Sequence, residues 1–339
     1  MRLRLLVLSL LLTSIAFASE NAHQHTEINH NHTSKSIPAG VMRSHIHHKG
    51  ETMFMYSANQ TISNGIRGSQ ESVLSSYDNA PKNMNMQMHM AGLMHGITEK
   101  LTVSAMFQYM KMDMEMTGHD TGTHGHKVSG IGDTSLDAMY RIFSNETHHF
   151  QANLGIILPT GSTTQSHEMH ANHGMGLHTH TKRNAYNMQL GTGSYSITPG
   201  VSYTFNFAPM WQIGTQANAT IRLNDNNQNY RFGNIYNLTS WVNRNINNTF
   251  SLSARLDYTT VGTIHGNDSQ IDPTLSPVNN PSLTYRDQLT ALIGGNINLH
   301  GKFSGTRIQA EIGTPLYQRI GQGIPKQRFV ANIGLLYSL

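Results

Sequence analysis

From residue 51 onward the chain is dominated by segments of about ten residues in which apolar and polar side chains alternate, the period of a strand with one oily and one wet face. In one segment Tyr195, Ile197, Val201, Tyr203 and Phe205 oppose Ser194, Ser196, Thr198, Ser202 and Thr204. In the next, Trp211, Ile213, Ala217, Ala219 and Ile221 oppose Gln212, Gln216, Asn218, Thr220 and Arg222. Further on, Phe250, Leu252, Ala254, Leu256 and Tyr258 oppose Ser251, Ser253, Arg255, Asp257 and Thr259. A soluble sandwich alternates in the same way, so the period alone leaves two architectures open.

Three features select a membrane barrel. Connections switch between short (98–100, 144–147, 208–209, 246–248) and long (about 64–81, 115–130, 159–185, 263–284), as periplasmic turns and extracellular loops do. Aromatic residues mark strand ends, among them Tyr109, Phe143, Phe150, Tyr203, Phe205, Trp211, Tyr230 and Tyr337. The chain also carries an export signal and no helical span, and a closed barrel is the only other structure that satisfies every backbone group in lipid. That signal is residues 1–18: basic Arg2 and Arg4, an apolar run from Leu5 to Ile15, and Ala16-Phe17-Ala18 as cleavage site. Cleavage after Ala18 and export of the mature chain are expected.

The expected fold is therefore all-β, a transmembrane antiparallel up-and-down barrel of about twelve strands. They fall near 51–63, 82–97, 101–114, 131–143, 148–158, 194–206, 210–222, 230–243, 249–261, 285–299, 305–317 and 327–339. The expected division is a signal peptide (1–18), a His-rich flexible periplasmic segment (19–50) and the barrel (51–339). Composition narrows the function classes. No cysteine excludes disulfides and thiolate sites. A formal charge of +4, or +2 once Arg2 and Arg4 are removed, argues against a nucleic-acid partner. No nucleophile elbow, HExxH or other placed constellation is present, so no enzymatic activity and no required cofactor are expected.

The last strand, Phe329 to Leu339, is apolar at every odd position and holds Asn332, Gly334, Tyr337 and a terminal hydrophobe. It resembles the C-terminal assembly signal of outer-membrane barrels, which implies recognition by the barrel-assembly machinery and delivery to the outer membrane of a Gram-negative cell. Further motifs are Asn83 to Thr98, Gly130-Ile-Gly-Asp-Thr134, Leu158-Pro-Thr-Gly-Ser162 and Met188-Gln-Leu-Gly-Thr-Gly193. With these the chain resembles the phenol meta-pathway, or "transporter", family of outer-membrane barrels over most of residues 51–339. The resemblance implies a channel for small, often hydrophobic or aromatic molecules, and it supplies no catalytic residues.

Histidine and methionine are unusually abundant, at 21 and 19 residues, and ten of the methionines lie between Met84 and Met116. Burial logic places Met84, Met86, Met88, Met90 and Met94 against lipid, with Asn83, Asn85, Gln87, His89 and His95 in the lumen. A two-residue turn at Glu99-Lys100 then pairs His89 with Met110 and Gln87 with Met112. A three-residue turn pairs Met84, Met86 and Met88 with Met114, Met112 and Met110 instead, and one step of register decides between them. The first register suggests a lumen site for Cu(I) or Ag(I) at His89, Met110 and Met112, the soft cations that thioethers favour. A second candidate, for Zn(II) or Cu(II), is the loop set His167, His170, His173, His178 and His180. Metal binding or resistance is thus the alternative function, beside the plain reading of Met as adaptable apolar filler. The lumen charges Asp133, Asp137, Asp257 and Glu311 against Arg141, Arg222, Arg231, Arg255 and Arg307 are expected mainly to pair with one another.

Overall fold

The computed structural model describes residues 37–68, 70–118, 122–172 and 177–339, with the side chains of residue 70 and of 168–180 outside that description. The expected signal peptide and residues 19–36 of the His-rich segment lie outside the described residues. Twelve antiparallel strands close into a barrel. In chain order they are β1 (Thr52–Asn64), β2 (Asn79–Gly96), β3 (Leu101–Gly118), β4 (Thr134–Ser144), β5 (His148–Leu158) and β6 (Ser196–Ile197 continued by Gly200–Ala208). The second half comprises β7 (Trp211–Arg222), β8 (Ile235–Asn245), β9 (Phe250–Val261), β10 (Arg286–Asn298), β11 (Thr306–Ile320) and β12 (Gln327–Ser338). The cylinder closes where β12 pairs β1, from Met53 opposite Ser338 to Ile62 opposite Phe329.

Burial is inverted relative to a water-soluble protein. Phe54, Leu93, Val103, Phe107, Leu136, Leu154, Ile213, Leu252, Leu256, Ile293, Ile312 and Ile333 are exposed on the outer wall. Ser57, Thr102, Ser104, Gln151, Asn153, Ser202, Thr204, Gln216, Thr239, Asn243 and Asn296 are buried inside. Leaving each large apolar side chain in water would forgo about 1.5–3 kcal/mol, so lipid must cover this surface. Exposed aromatics border the apolar band at both ends. Tyr140, Phe143, Phe207, Trp211, Phe250 and Tyr337 lie toward the short turns, and Tyr109, Tyr236, Tyr258 and Tyr317 toward the long loops.

Strands β2 and β3 have 18 residues each, whereas about 9–11 tilted residues cross a bilayer. Their outer halves therefore stand above the membrane. There the strand Gly122–Ile131 pairs with β3, from Tyr109 opposite Ile131 to Gly118 opposite Gly122. Nearer the periplasm the same edge of β3 pairs with β4.

The β2–β3 register overturns the expected orientation of the methionines. Met84 lies opposite Met114, Met86 opposite Met112 and Met88 opposite Met110. The connection is the three-residue turn Thr98-Glu99-Lys100: Thr98 leaves the ladder, and its hydroxyl accepts from the backbone N–H of Lys100 and Leu101 at 3.2 and 3.0 Å. The methionines of β2 consequently face the lumen, while Leu93 and Ala91 face out. The burial argument failed because Asn83, Asn85 and Gln87 occupy the part of β2 that projects beyond lipid, where an outward polar face costs nothing.

Residues 37–50, expected to be part of a flexible tail, instead cross the periplasmic half of the lumen. Gln309 of β11 donates to the carbonyl of Ile37 at 3.0 Å. Across the barrel, Gln216 of β7 donates to that of Met42 and Gln151 of β5 to that of Arg43, at 2.8 and 2.7 Å. The segment then returns, with His47 N–H on the Thr102 hydroxyl at 2.9 Å and Gly50 N–H on the Gly96 carbonyl at 2.8 Å. Its backbone takes hydrogen bonds from lumen side chains, which is how an irregular stretch becomes tolerable inside a barrel.

Candidate functional site: a roofed lumen

Asp133 organises the outer half of the lumen. It sits in the break between the strand Gly122–Ile131 and β4, so its buried carboxylate points inward. One oxygen accepts from Gly161 N–H at 3.0 Å; the other accepts from Thr192 N–H at 2.9 Å and from the Thr192 hydroxyl at 2.7 Å. The three short glycine-bearing motifs of the sequence thus meet at one carboxylate. Gly161 and Gly191 touch backbone to backbone: a Cβ on Gly161 would lie 2.6 Å from the Gly191 Cα. Gly161→Ala is therefore expected to push the two loops apart at a cost of about 1–3 kcal/mol. The check is faster hydrogen exchange at the Leu190 and Gly191 amides, which bond the Ser162 carbonyl.

Held this way, residues 184–190 fold over the lumen, with Tyr186, Met188 and Leu190 buried. Tyr186 packs edge-on against Tyr230, ring centres 4.8 Å apart, within a cluster that includes Ile264 and Ile271. Met188 and Leu190 join Met112, Met114, Met116, Val128 and Val278, with Met84, Met86 and Met110 against them. Beneath this roof lies a cavity of about 260 Å³. Its apolar lining is Met86, Met110, Met112, Ile157, Leu190 and Phe232, and its polar lining includes Gln108, Asp133, Asn187, Gln189 and Arg222. A larger groove of about 520 Å³ runs over Ala105, Ala138 and Gly155 on the lipid-facing wall, away from these groups.

Segment 37–50 forms the floor. Arg43 Nη1 lies 2.9 Å from Asp137 Oδ1 and 3.0 Å from the Thr198 hydroxyl. Gly155 leaves space for this pair, since a Cβ there would stand 2.0 Å from Asp137 Oδ1. On the opposite wall Arg255 bridges Glu311 and Asp257, and Asn332 donates to Glu311 at 3.0 Å. The lumen charges thus pair with one another in part. Asp133 instead holds backbone, and Asp137 holds an arginine from outside the barrel wall.

The proposed His89–Met110–Met112 set does not assemble. His89 shares the outer face with Tyr56, whose hydroxyl lies 2.7 Å from His89 Nδ1, whereas Met110 and Met112 line the cavity. Of the loop set, His167 packs on His126 with ring centres 4.0 Å apart and hydrogen-bonds Asn184 at 2.6 Å. The backbones of His170, His178 and His180 lie in the hairpin Ser166–Asn172 and Leu177–Arg183; their side chains, and all of His173, are outside the described residues. Among the described residues no three His, Asp or Glu side chains form a ready-made metal site. Desolvation, then His167, His124 and Lys182, hold His126 down at about 4, and desolvation with His167 lowers His124. Tyr186, Leu190, Phe232 and Arg43 were not foreseen as site residues. For Leu190 the signal was there, in the motif Met188-Gln-Leu-Gly-Thr-Gly193 that carries the family resemblance.

A solved outer-membrane channel from Pseudomonas putida F1, described as COG4313, has a TM-score of 0.58 at 14% identity, covering 90% of this chain and all of that one. The Pseudomonas putida toluene transporter TodX has a TM-score of 0.44 at 12% identity, covering 85% of this chain and 88% of that one. No curated protein matches the chain. The family model described as "Putative MetA-pathway of phenol degradation" matches residues 79–309, from β2 into β11. The chain is therefore a member of that family of outer-membrane β-barrels.

Proposed function

We propose that this barrel is a gated, non-catalytic conduit that takes small, largely apolar molecules from the cell surface across the outer membrane. The observation that carries this reading is the roofed cavity. A porin for polar solutes has a polar, water-filled lumen throughout, whereas the outer half of this polar-walled barrel holds a cavity where Met86, Met110, Met112, Ile157, Leu190 and Phe232 stand beside polar groups such as Gln108, Asp133 and Arg222. That is the composition of a small-molecule site. A dry cavity of about 150 Å³ accommodates benzene, so 260 Å³ holds a single-ring compound beside the Arg222 and Gln108 side chains. Family membership supports a phenol-like substrate. Cleavage after Ala18 and assembly through the last strand belong to the same reading.

The test is uptake of radiolabelled phenol and of a monosaccharide by cells whose lipopolysaccharide leaflet retards apolar solutes. Expression of the chain is expected to raise phenol entry and leave sugar entry unchanged. Met112→Glu, which puts a charge into the cavity wall, is expected to reduce the gain at least ten-fold. Equal passage of sugar and phenol would refute the proposal, as would no phenol gain.

A further inference from the structure

Methionine and histidine side chains converge at the outer mouth of the lumen, above the bilayer. The projecting part of β3 and the strand Gly122–Ile131 set Met114 opposite His126 and Met116 opposite His124. Directly opposed residues of an antiparallel pair have Cβ atoms about 4.5–5.5 Å apart, so sulfur and imidazole donors can meet without backbone movement. His126 stands between two further rings, 4.0 Å from His167 and 5.4 Å from His124, centre to centre. His124 Nδ1 is buried and has no hydrogen-bond partner among the described residues. A buried polar atom of that kind calls for an explanation, and an absent ligand is one. Behind the rings, the sulfurs of Met84 and Met114 approach the same Asn187 amide nitrogen, at 3.8 and 3.9 Å.

The donor set selects the ligand. Without three His, Asp or Glu side chains in place among the described residues, the mouth lacks the closed nitrogen and oxygen set that structural zinc requires. Thioether together with imidazole is the donor combination of a soft cation. We propose that His124 and His126, with Met114 and Met116, form a site for a soft monovalent cation, Cu(I) or Ag(I), with the His167 ring packed beside it. The pairs Met86–Met112 and Met88–Met110 continue the thioether lining from this mouth toward the periplasm. The site does not depend on the conduit role.

Calorimetric titration of the full chain in detergent with silver nitrate, in chloride-free buffer, tests the proposal. One tight Ag(I) equivalent is expected above the weaker binding by scattered histidines. The double variant Met114→Leu/Met116→Leu conserves volume, and His126→Ala removes the central ring. Each is expected to weaken that equivalent at least ten-fold. X-ray absorption of the Cu(I)-loaded chain is expected to show both sulfur and nitrogen neighbours. The proposal is overturned by a tightest equivalent that survives both substitutions, or by nitrogen neighbours alone. It also fails if Zn(II) binds more tightly than Ag(I) and only the histidine substitution weakens it. Phenol uptake by the same variants, read in parallel, separates failure of this site from failure of the conduit.

Discussion

Arg43→Ala is expected to raise single-channel conductance in planar bilayers several-fold. Segment 37–50 is otherwise held mostly by neutral hydrogen bonds, each worth about 0.5–1.5 kcal/mol net. The Arg43 pair is the stronger tie, because the Asp137 side chain is 1% exposed and would be left as a buried carboxylate with no cation, held only by the Ser135 and Thr198 hydroxyls. Losing one partner of a fully buried pair costs about 3–5 kcal/mol; Arg43 is 21% exposed, so the lower end applies. The backbone adds to the instability, since Arg43 has φ of 58°, a conformation costing a non-glycine residue about 1–3 kcal/mol. Arg43→Gly separates the contributions by relieving that strain while still removing the guanidinium. It is expected to open the channel less than alanine but more than wild type. A closed channel in both variants would mean that the segment is not the floor.

Asp133→Ala is expected to free the roof while leaving the barrel intact. Three donors lose a charged acceptor at once, each such bond being worth about 1.5–3 kcal/mol, and partial compensation by water brings the expected loss to about 3–5 kcal/mol. Asp133→Asn should recover little. A carboxamide has one acceptor oxygen, and its NH2 would face the N–H of Gly161 or Thr192. Limited proteolysis within residues 184–194 checks this, with cleavage expected in the variant at protease levels that leave the wild type whole. Thermal unfolding of the strand signal should hardly move, because the strand ladders do not pass through Asp133. Wild-type protease resistance in Asp133→Ala would remove the carboxylate from its place at the centre of the roof.

The two substitutions act at opposite ends of one path. Opening the floor alone leaves entry controlled by the roof, and the reverse holds for Asp133. The double variant is therefore expected to conduct more than either single one. This follows from their separate contacts: Asp133 binds the loops at Gly161 and Thr192, whereas Asp137 binds the segment at Arg43.

The barrel was legible in the sequence because its cause is local. Two-residue alternation sets each strand's faces wherever that strand ends up, and the β5 segment, 148–158, was readable to the residue. The outer wall follows too, since lipid admits only one of the two faces. Three things were decided by tertiary structure alone. The β2–β3 register turned on one residue, Thr98, whose hydroxyl caps a three-residue turn, and that step moved ten methionine and polar side chains to opposite faces. The floor was illegible because segment 37–50 has no period. Its partners are remote in sequence, Gln309 being 272 residues from Ile37 and Thr198 155 from Arg43. The roof was visible only as scattered Gly-Asp and Gly-Thr-Gly motifs. Which turns share a carboxylate depends on how a closed cylinder brings its loops together, and closure is a property of all twelve strands at once.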